Sequence, residues 1–232
     1  SLVRVKDSYG PDRVQRYNAY VAAEINGGAA PGVSSGEAQA EMRGELGVGG
    51  DPLLLSVGHL IERKGHHVAI GALAELRKTR PGARMVIIGE GEERAALTAL
   101  AARLGVQEEV LLTGSLPNTE LLKWYSAADV LLLCSSREGW ANVLLESMAC
   151  GTPVVATDIW GTPEVVARPE AGRLVANRDA AAFADAIGEL LATGVDRAAT
   201  RRYAEGFSWQ ATTDGLLALF DSIRAKKGLR HA

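Results

Sequence analysis

Residues that build metal sites and disulfide frameworks are scarce in this sequence. It contains two cysteines, Cys134 and Cys150, and four histidines. Each cysteine lies in an apolar run, so both are predicted to be small, buried hydrophobic residues. No Cys or Asp cluster stands at ligand spacing beside the histidines, and no metal site is expected. Unpaired cysteines are typical of a reducing compartment, so we expect a cytoplasmic location.

Basic clusters and long apolar runs are also lacking. Lys and Arg number 25 against 28 Asp and Glu, which gives a formal net charge of −3 and argues against a nucleic-acid-binding surface. The one dense basic stretch, residues 224–230, is interpreted as a solvated helix end. No apolar run approaches the roughly 20 residues that a transmembrane helix needs. We therefore expect neither a nucleic-acid partner nor a transmembrane segment.

Short apolar runs alternate with helical patterns from residue 52 onward. The runs are rich in Val, Leu and Ile with little polar alternation, which is typical of parallel strands buried on both faces. The predicted strands are 52–57, 84–88, 109–113, 129–134, 153–157 and 172–175. The predicted helices between and after them are 67–77, 93–104, 120–127, 143–150 and 180–192. Repeated strand–helix units predict an α/β fold: a Rossmann-like, doubly wound parallel sheet of about six strands.

The two ends of the chain differ from this central domain. Residues 27–36 are rich in Gly, Ala, Pro and Ser and are predicted to be a flexible linker. We therefore divide the chain into a remnant of a preceding domain plus linker (1–50), a Rossmann-like domain (51–206) and a C-terminal segment (207–232). Within that last segment a helix over 209–227 is predicted to pack its apolar side across the domain.

Glycines and polar residues follow five of the six predicted strands. In open α/β sheets, ligands bind beyond the carboxyl ends of the strands, so these loops are expected to form one site. The loops are 58–65, 89–91, 114–117, 135–139 and 158–164. In the first of them, Arg63 and Lys64 stand just before a helix start, where cations and free amides can bind a diphosphate. Ordinary surface charge is the alternative for this pair.

Two glutamates in the segment after the fourth strand attract attention. Glu146 lies in a helix that is apolar on nearly every face, so its carboxylate needs a hydrogen-bond donor. A ribose diol and an internal salt bridge with Arg or Lys are both open as partners. Glu138 lies at the strand-to-helix turn, beside Gly139, and is either a ligand of sugar hydroxyls or an exposed turn acid. The amides of residues 140–143 would be available to phosphate oxygens.

The sequence around these glutamates resembles a known family. Residues 135–156 read Ser-Ser-Arg-Glu-Gly-Trp-Ala-Asn-Val-Leu-Leu-Glu-Ser-Met-Ala-Cys-Gly-Thr-Pro-Val-Val-Ala. This segment closely resembles the signature of the retaining glycosyltransferases of family 4, also called group 1. Further matches to the family's pattern lie at 58–65, 86–94, 110–116, 162–166 and 207–209, and residues 10–15 resemble the segment that leads out of the family's N-terminal domain.

The resemblance implies one half of a GT-B architecture, in which two Rossmann-like domains face each other across a cleft. Lys64 would bind the diphosphate of the donor, Glu146 its ribose and the backbone near Leu116 its base. Glu138 would be the catalytic residue that holds the transferred sugar. The full donor-binding set it implies is His59, Arg63, Lys64, Leu116, Gly139, Trp140, Ala141, Asn142, Val143 and Glu146.

The implied reaction is retaining, metal-independent transfer from a UDP-, GDP- or ADP-sugar, with no further cofactor. The acceptor would be held by an N-terminal domain that this chain lacks, so donor binding without much transfer is expected. Any membrane association would be encoded in that missing half. A non-catalytic nucleotide-sugar-binding module and a GT-B-like nucleotide-sugar epimerase are the alternatives. Two positions depart from the family's pattern: His59 stands where Arg is usual, and Trp160-Gly161 stands where a Gly-Gly pair is common.

Overall fold

A computed structural model describes residues 16–17, 20–21, 40, 42–44, 46–194, 196–207 and 209–226. The predicted linker at 27–36 and the segment at 10–15 lie outside these residues. Within the described part, no helix is both long and apolar enough to cross a membrane.

A six-stranded parallel sheet forms the centre of the domain. Two short antiparallel strands precede it, β1 (Arg16–Tyr17) and β2 (Tyr20–Val21). The sheet itself consists of β3 (Leu53–Val57), β4 (Arg84–Ile88), β5 (Val110–Gly114), β6 (Val130–Leu133), β7 (Val154–Thr157) and β8 (Gly172–Val175). Their order is β5-β4-β3-β6-β7-β8, and every neighbouring pair is parallel. The predicted doubly wound sheet of about six strands is confirmed.

This strand order identifies the part of the sheet at which a ligand is expected. Within the sheet the chain begins at β3, runs outward to β5, returns to β6 beside β3 and runs outward again to β8. The loops that follow β3 and β6 therefore leave neighbouring strands at the same edge of the sheet, at the switch point where open α/β sheets bind ligands.

The sheet is covered by helices on both faces. They are α1 (His66–Leu76), α2 (Arg94–Arg103), α3 (Asn118–Ala127), α4 (Asn142–Ala149), α5 (Thr162–Val165), α6 (Ala180–Ala192), α7 (Arg197–Glu205) and α8 (Trp209–Lys226), with a 3₁₀ turn at Glu62–Lys64. Alternate strand residues serve the two faces: Leu55 belongs to the same buried cluster as Leu144 of α4, and Leu54 to the cluster of Ile70 of α1. Burial on both faces explains the lack of polar alternation in the strands.

Helix α7 was not predicted from the sequence. Its nine residues contain little apolar side chain, and only Thr200 and Ala204 are buried. The helix begins at a genuine cap signal, because the Asp196 side chain accepts hydrogen bonds from the amides of Ala198 and Ala199.

The C-terminal helix α8 contradicts the prediction that its apolar side packs across the domain. The apolar side chains in question are exposed: Leu216 by 37%, Leu217 by 56%, Leu219 by 53%, Phe220 by 56% and Ile223 by 41%. Amphipathic spacing predicted the helix correctly, but spacing alone does not specify which surface an apolar stripe will meet.

Candidate functional site

A salt bridge joins the two loops that follow β3 and β6. Lys64 ends the 3₁₀ turn after β3, and its Nζ lies 2.6 Å from Oε1 of Glu138, in the loop after β6. The Ser135 hydroxyl donates to the same carboxylate oxygen at 2.7 Å. Glu138 is only 7% exposed, so it is not the exposed turn acid that the sequence left open. Oε2 of Glu138 receives no hydrogen bond from any residue that the structure describes, and it can accept one from a ligand.

Gly65 allows the two loops to approach closely enough for this contact. Its backbone is left-handed, with φ of 71°, and a Cβ at this position would lie 2.0 Å from the carbonyl oxygen of Cys134. Only glycine fits such a position without moving the loop. Arg178, which sequence analysis did not single out, strengthens the junction because its Nε donates to the same Cys134 carbonyl at 2.6 Å.

Arg63 connects the same two loops through its own backbone and side chain. Its guanidinium donates to the carbonyl oxygen of Arg137 at 2.9 Å, and its carbonyl accepts from the Ser136 amide at 2.9 Å. Arg63 is exposed, and this bracing contact accounts for one of its donor groups.

Buried His66 supports the loop between β3 and α1. Its Nε2 lies 3.2 Å from the carbonyl oxygen of His59, and its Nδ1 lies 3.0 Å from the Ser56 hydroxyl. A carbonyl can only accept, so Nε2 carries the proton and Nδ1 accepts from Ser56. Burial lowers the pKa of His66 from 6.5 to about 4, which keeps the ring neutral. His66 is only 3% exposed, whereas the His59 side chain is exposed.

Glu146 finds its hydrogen-bond partner on the neighbouring helix. Tyr125 of α3 donates its hydroxyl to Oε2 of Glu146 at 2.8 Å. The sequence required a donor here, and a tyrosine fills the role in place of the Arg or Lys that was considered. Burial raises the pKa of Glu146, and the hydrogen bond from Tyr125 opposes that shift. Glu146 makes this bond with Tyr125 and none with Lys64 or Glu138.

The start of α4 follows the Glu138 loop and has no side-chain cap. Ala141 occupies the N-cap position and offers no capping side chain, so the first amides of α4 keep their donors for another partner. Asn142 and Val143 are half-buried, while Trp140 is 48% exposed. Beside them Gly139 has open space where a side chain would stand. An uncapped helix start next to a cation has the chemistry of an anion site.

The loop after β7 rests against this turn. A Cβ on Gly161 would lie 2.6 Å from the carbonyl oxygen of Gly139, so the two loops are in direct contact. Trp160 has a left-handed backbone, with φ of 47°, and its ring is 66% exposed. The guanidinium carbon of Arg137 lies 5.0 Å from the centre of that ring. Sequence analysis did not predict this cation–π pair, because it depends on the path of a loop from another strand.

Leu116 and the question of a metal site remain from the sequence analysis. Leu116 is partly buried against the cluster formed with α3 and α4. Among the described residues, no group of three or more His, Cys, Asp and Glu side chains gathers as metal ligands do.

Comparison with known proteins assigns the chain to a family. Residues 38–207 match the model of the glycosyl transferases group 1. The chain belongs to this family.

Curated relatives in the family are longer than this chain. It is 37% identical over 187 residues to the D-inositol 3-phosphate glycosyltransferase of Acidothermus cellulolyticus, covering 75% of this chain and 42% of the relative. A GDP-mannose-dependent alpha-(1-6)-phosphatidylinositol monomannoside mannosyltransferase of Mycolicibacterium smegmatis is 38% identical, covering 67% of this chain and 43% of the relative. The chain thus spans less than half the length of the curated relatives it matches.

Solved structures share the fold. Sucrose-phosphate synthase from Thermosynechococcus elongatus matches with a TM-score of 0.66 and 29% identity, over 81% of this chain and 49% of that one. Anabaena HepE in complex with UDP matches with a TM-score of 0.73 and 23% identity, over 88% of this chain and 56% of that one. The six-stranded domain has the Rossmann-like architecture of these GT-B enzymes.

Proposed function

We propose that this chain binds the nucleotide-diphosphate sugar that serves as donor in a retaining, metal-independent glycosyl transfer. In this proposal the acceptor is held by a domain outside the present chain, which covers 42% of its relative from Acidothermus cellulolyticus. The observation that carries the proposal is the Lys64–Glu138 pair, set at the strand junction where α/β sheets bind ligands.

Each part of the site has a role in such a complex. The Lys64 ammonium has three donors, so it can keep Glu138 and also contact a diphosphate oxygen. The amides at the start of α4 would contact further phosphate oxygens. The free Oε2 of Glu138 would accept from a hydroxyl of the transferred sugar. Negative charge that develops on the leaving diphosphate would meet the fixed ammonium and amides, which is an electrostatic contribution to transfer.

Family relatives support a nucleotide-sugar donor. The mycobacterial mannosyltransferase, at 38% identity, is described as GDP-mannose-dependent, and glycogen synthase of Mycobacterium tuberculosis is 37% identical. The name of the second relative states no nucleotide, so the base stays open among UDP, GDP and ADP. A cytoplasmic location, with any membrane association carried by the partner domain, remains an expectation.

The deciding experiment is calorimetric titration of the folded chain with UDP-, GDP- and ADP-sugars. We expect one nucleotide to bind, and we expect little transfer or donor hydrolysis by this chain alone. A folded sample that binds none of the three would refute the proposal. Epimerisation of the bound sugar would favour the epimerase alternative, which needs acid–base groups in the site.

A further inference from the structure

Glu146 presents two unequal carboxylate oxygens. Oε2 accepts the hydrogen bond from Tyr125 at 2.8 Å, while Oε1 receives none from the residues that the structure describes. Tyr125 is 1% exposed, so its hydroxyl is shielded from water and has Glu146 as its partner. Glu146 itself is partly exposed, so a ligand can reach the oxygen that remains.

We infer that Tyr125 is a positioning residue that holds Oε2 of Glu146 so that Oε1 alone faces the ribose of the bound nucleotide. The inference rests on the proposed function, in which Glu146 accepts from a ribose hydroxyl. A carboxylate free to rotate would accept from several directions. A carboxylate fixed at one oxygen accepts well only from a hydroxyl in one place.

The backbone of Tyr125 is clamped, which gives its hydroxyl a defined position. The Thr152 hydroxyl donates to the Tyr125 carbonyl oxygen at 2.5 Å, and Arg197 donates to that Thr152 oxygen at 2.7 Å. Arg197 also donates to the carbonyl oxygens of Ser126 at 2.7 Å and Ala128 at 2.8 Å. The final turn of α3 is thus held by hydrogen bonds from Thr152, just before β7, and from Arg197 at the start of α7. These bonds satisfy carbonyl groups that the helix end leaves free.

The titratable groups around the carboxylate are few. Burial raises the pKa of Tyr125 well above its ordinary value, so the phenol remains a donor at neutral pH. The Cys150 thiol directly follows the end of α4, and burial raises its pKa also. The positive charge of Arg197 in α7 partly offsets that rise by lowering the pKa of Cys150. Tyr125 is the group that opposes the effect of burial on Glu146, and its hydrogen bond helps to keep the carboxylate ionised.

Two measurable properties follow from this arrangement. A 2′- or 3′-deoxyribonucleotide would leave the fixed Oε1 unpaired, and we expect it to bind at least about tenfold more weakly than the ribonucleotide. Affinity for the ribonucleotide should also fall at acid pH, when Glu146 takes up a proton.

The test compares the chain with its Tyr125→Phe variant, using the nucleotide that the calorimetric screen identifies and its deoxyribose forms. We expect Tyr125→Phe to reduce the preference for ribose about threefold or more and to move the acidic fall in affinity to higher pH. Tyr203→Phe is the matched control, because it removes a hydroxyl that donates to the Val165 carbonyl at 2.9 Å and should change neither property.

The outcomes separate the inference from the proposed function. If the parent chain binds no nucleotide, the proposed function fails. If the parent prefers ribose and Tyr125→Phe keeps both the preference and the pH profile, only the role of Tyr125 is overturned. Should Tyr125→Phe fail to fold, 3-fluorotyrosine placed at position 125 keeps the shape and strengthens the donor. It should move the acidic fall to lower pH, and an unchanged profile would overturn the inference.

Discussion

Lys64 and Glu138 are 74 residues apart in sequence, yet Nζ of one lies 2.6 Å from Oε1 of the other. Their side chains are 17% and 9% exposed, so each charge depends on the other in the absence of ligand. The strand order produces this contact, because β3 and β6 are neighbours and the loops that follow them meet at the same edge.

Removal of one partner should reveal that dependence. We expect Lys64→Met to weaken nucleotide-diphosphate binding at least tenfold and to lower the free energy of unfolding by about 1–3 kcal/mol, because Glu138 loses a charged donor in a largely buried position. Calorimetry and urea denaturation measure the two effects. Lys78→Met is the matched control: its ion pair with Glu75 has side chains that are 68% and 40% exposed and should contribute little.

The double variant separates the structural role of the pair from its role in binding. Lys64→Met combined with Glu138→Gln removes both charges, so most of the lost stability should return while binding stays weak. Recovery of binding in the double variant would show that Lys64 serves only to neutralise Glu138.

Most of the fold could be predicted because it depends on local patterns. The runs that became β4 and β8 have the bounds that the sequence predicted. Helix α6 also has its predicted bounds, and the Asp179 side chain caps it by accepting from the amide of Ala182 at 2.9 Å. The start of α3 was wrong by two residues: the predicted helix begins at residue 120, whereas the observed helix begins at Asn118, with Pro117 as the N-cap residue. Helix α7 was missed because it is largely polar.

The candidate site was predictable only as far as topology places its loops. Loop positions brought Lys64 and Glu138 into consideration together, since parallel strands share one carboxyl edge. The donors that complete the site could not be predicted in the same way. Tyr125 meets Glu146 because two helices pack side by side, and His66 is buried because Gly65 turns the chain toward the sheet. Such contacts depend on side-chain directions between elements, which spacing within one element does not specify.

The buried His66 predicts how stability depends on pH. Unfolded histidine takes up its proton near pH 6.5, whereas the folded chain does so only near 4. Between these values the unfolded state binds more protons, so the free energy of unfolding should fall as pH drops from about 6.5 toward 4. The effect is at most about 3 kcal/mol. Urea denaturation at a series of pH values measures it.

His66→Gln should reduce that dependence on pH. The variant loses packing and is expected to be less stable at pH 7.5, but its stability should change less through the acidic window. His59→Gln, which changes an exposed ring, serves as the control and should retain the parent's slope. An equal slope in His66→Gln and the parent would contradict a buried, neutral His66.

The ionised Glu146 carboxylate should lower the stability of the fold while it contributes to nucleotide binding. Burial raises its pKa in the folded state, so the folded chain holds the proton more strongly than the unfolded chain. The ionised carboxylate therefore destabilises the fold above that folded pKa, and this cost disappears as pH falls below the unfolded value.

Glu146→Gln should raise Tm at pH 7.5, by about 2–4 °C for each kcal/mol gained, and show little gain near pH 4. The variant should also bind the nucleotide more weakly, because substitutions that stabilise a protein at a functional site often reduce its function. Glu75→Gln, at a partly exposed position outside the site, should leave both properties unchanged. A Glu146→Gln variant that binds as tightly as the parent would remove Glu146 from the donor site.

Trp160 allows a test of backbone strain in the loop that contacts Gly139. A left-handed backbone costs a non-glycine residue about 1–2 kcal/mol, and the exposed stacking of Arg137 on the ring returns only about 0.5–1 kcal/mol. Trp160→Ala removes the ring and keeps the strain, whereas Trp160→Gly removes both. We therefore expect the Gly variant to be more stable than the Ala variant by about 1 kcal/mol, the reverse of the usual order.

Trp140, also exposed but without a positive φ, is the control, and there the Ala variant should be the more stable. If Ala is also the more stable residue at position 160, then the loop after β7 does not hold its left-handed turn in solution, because only that turn makes Ala the less stable of the two.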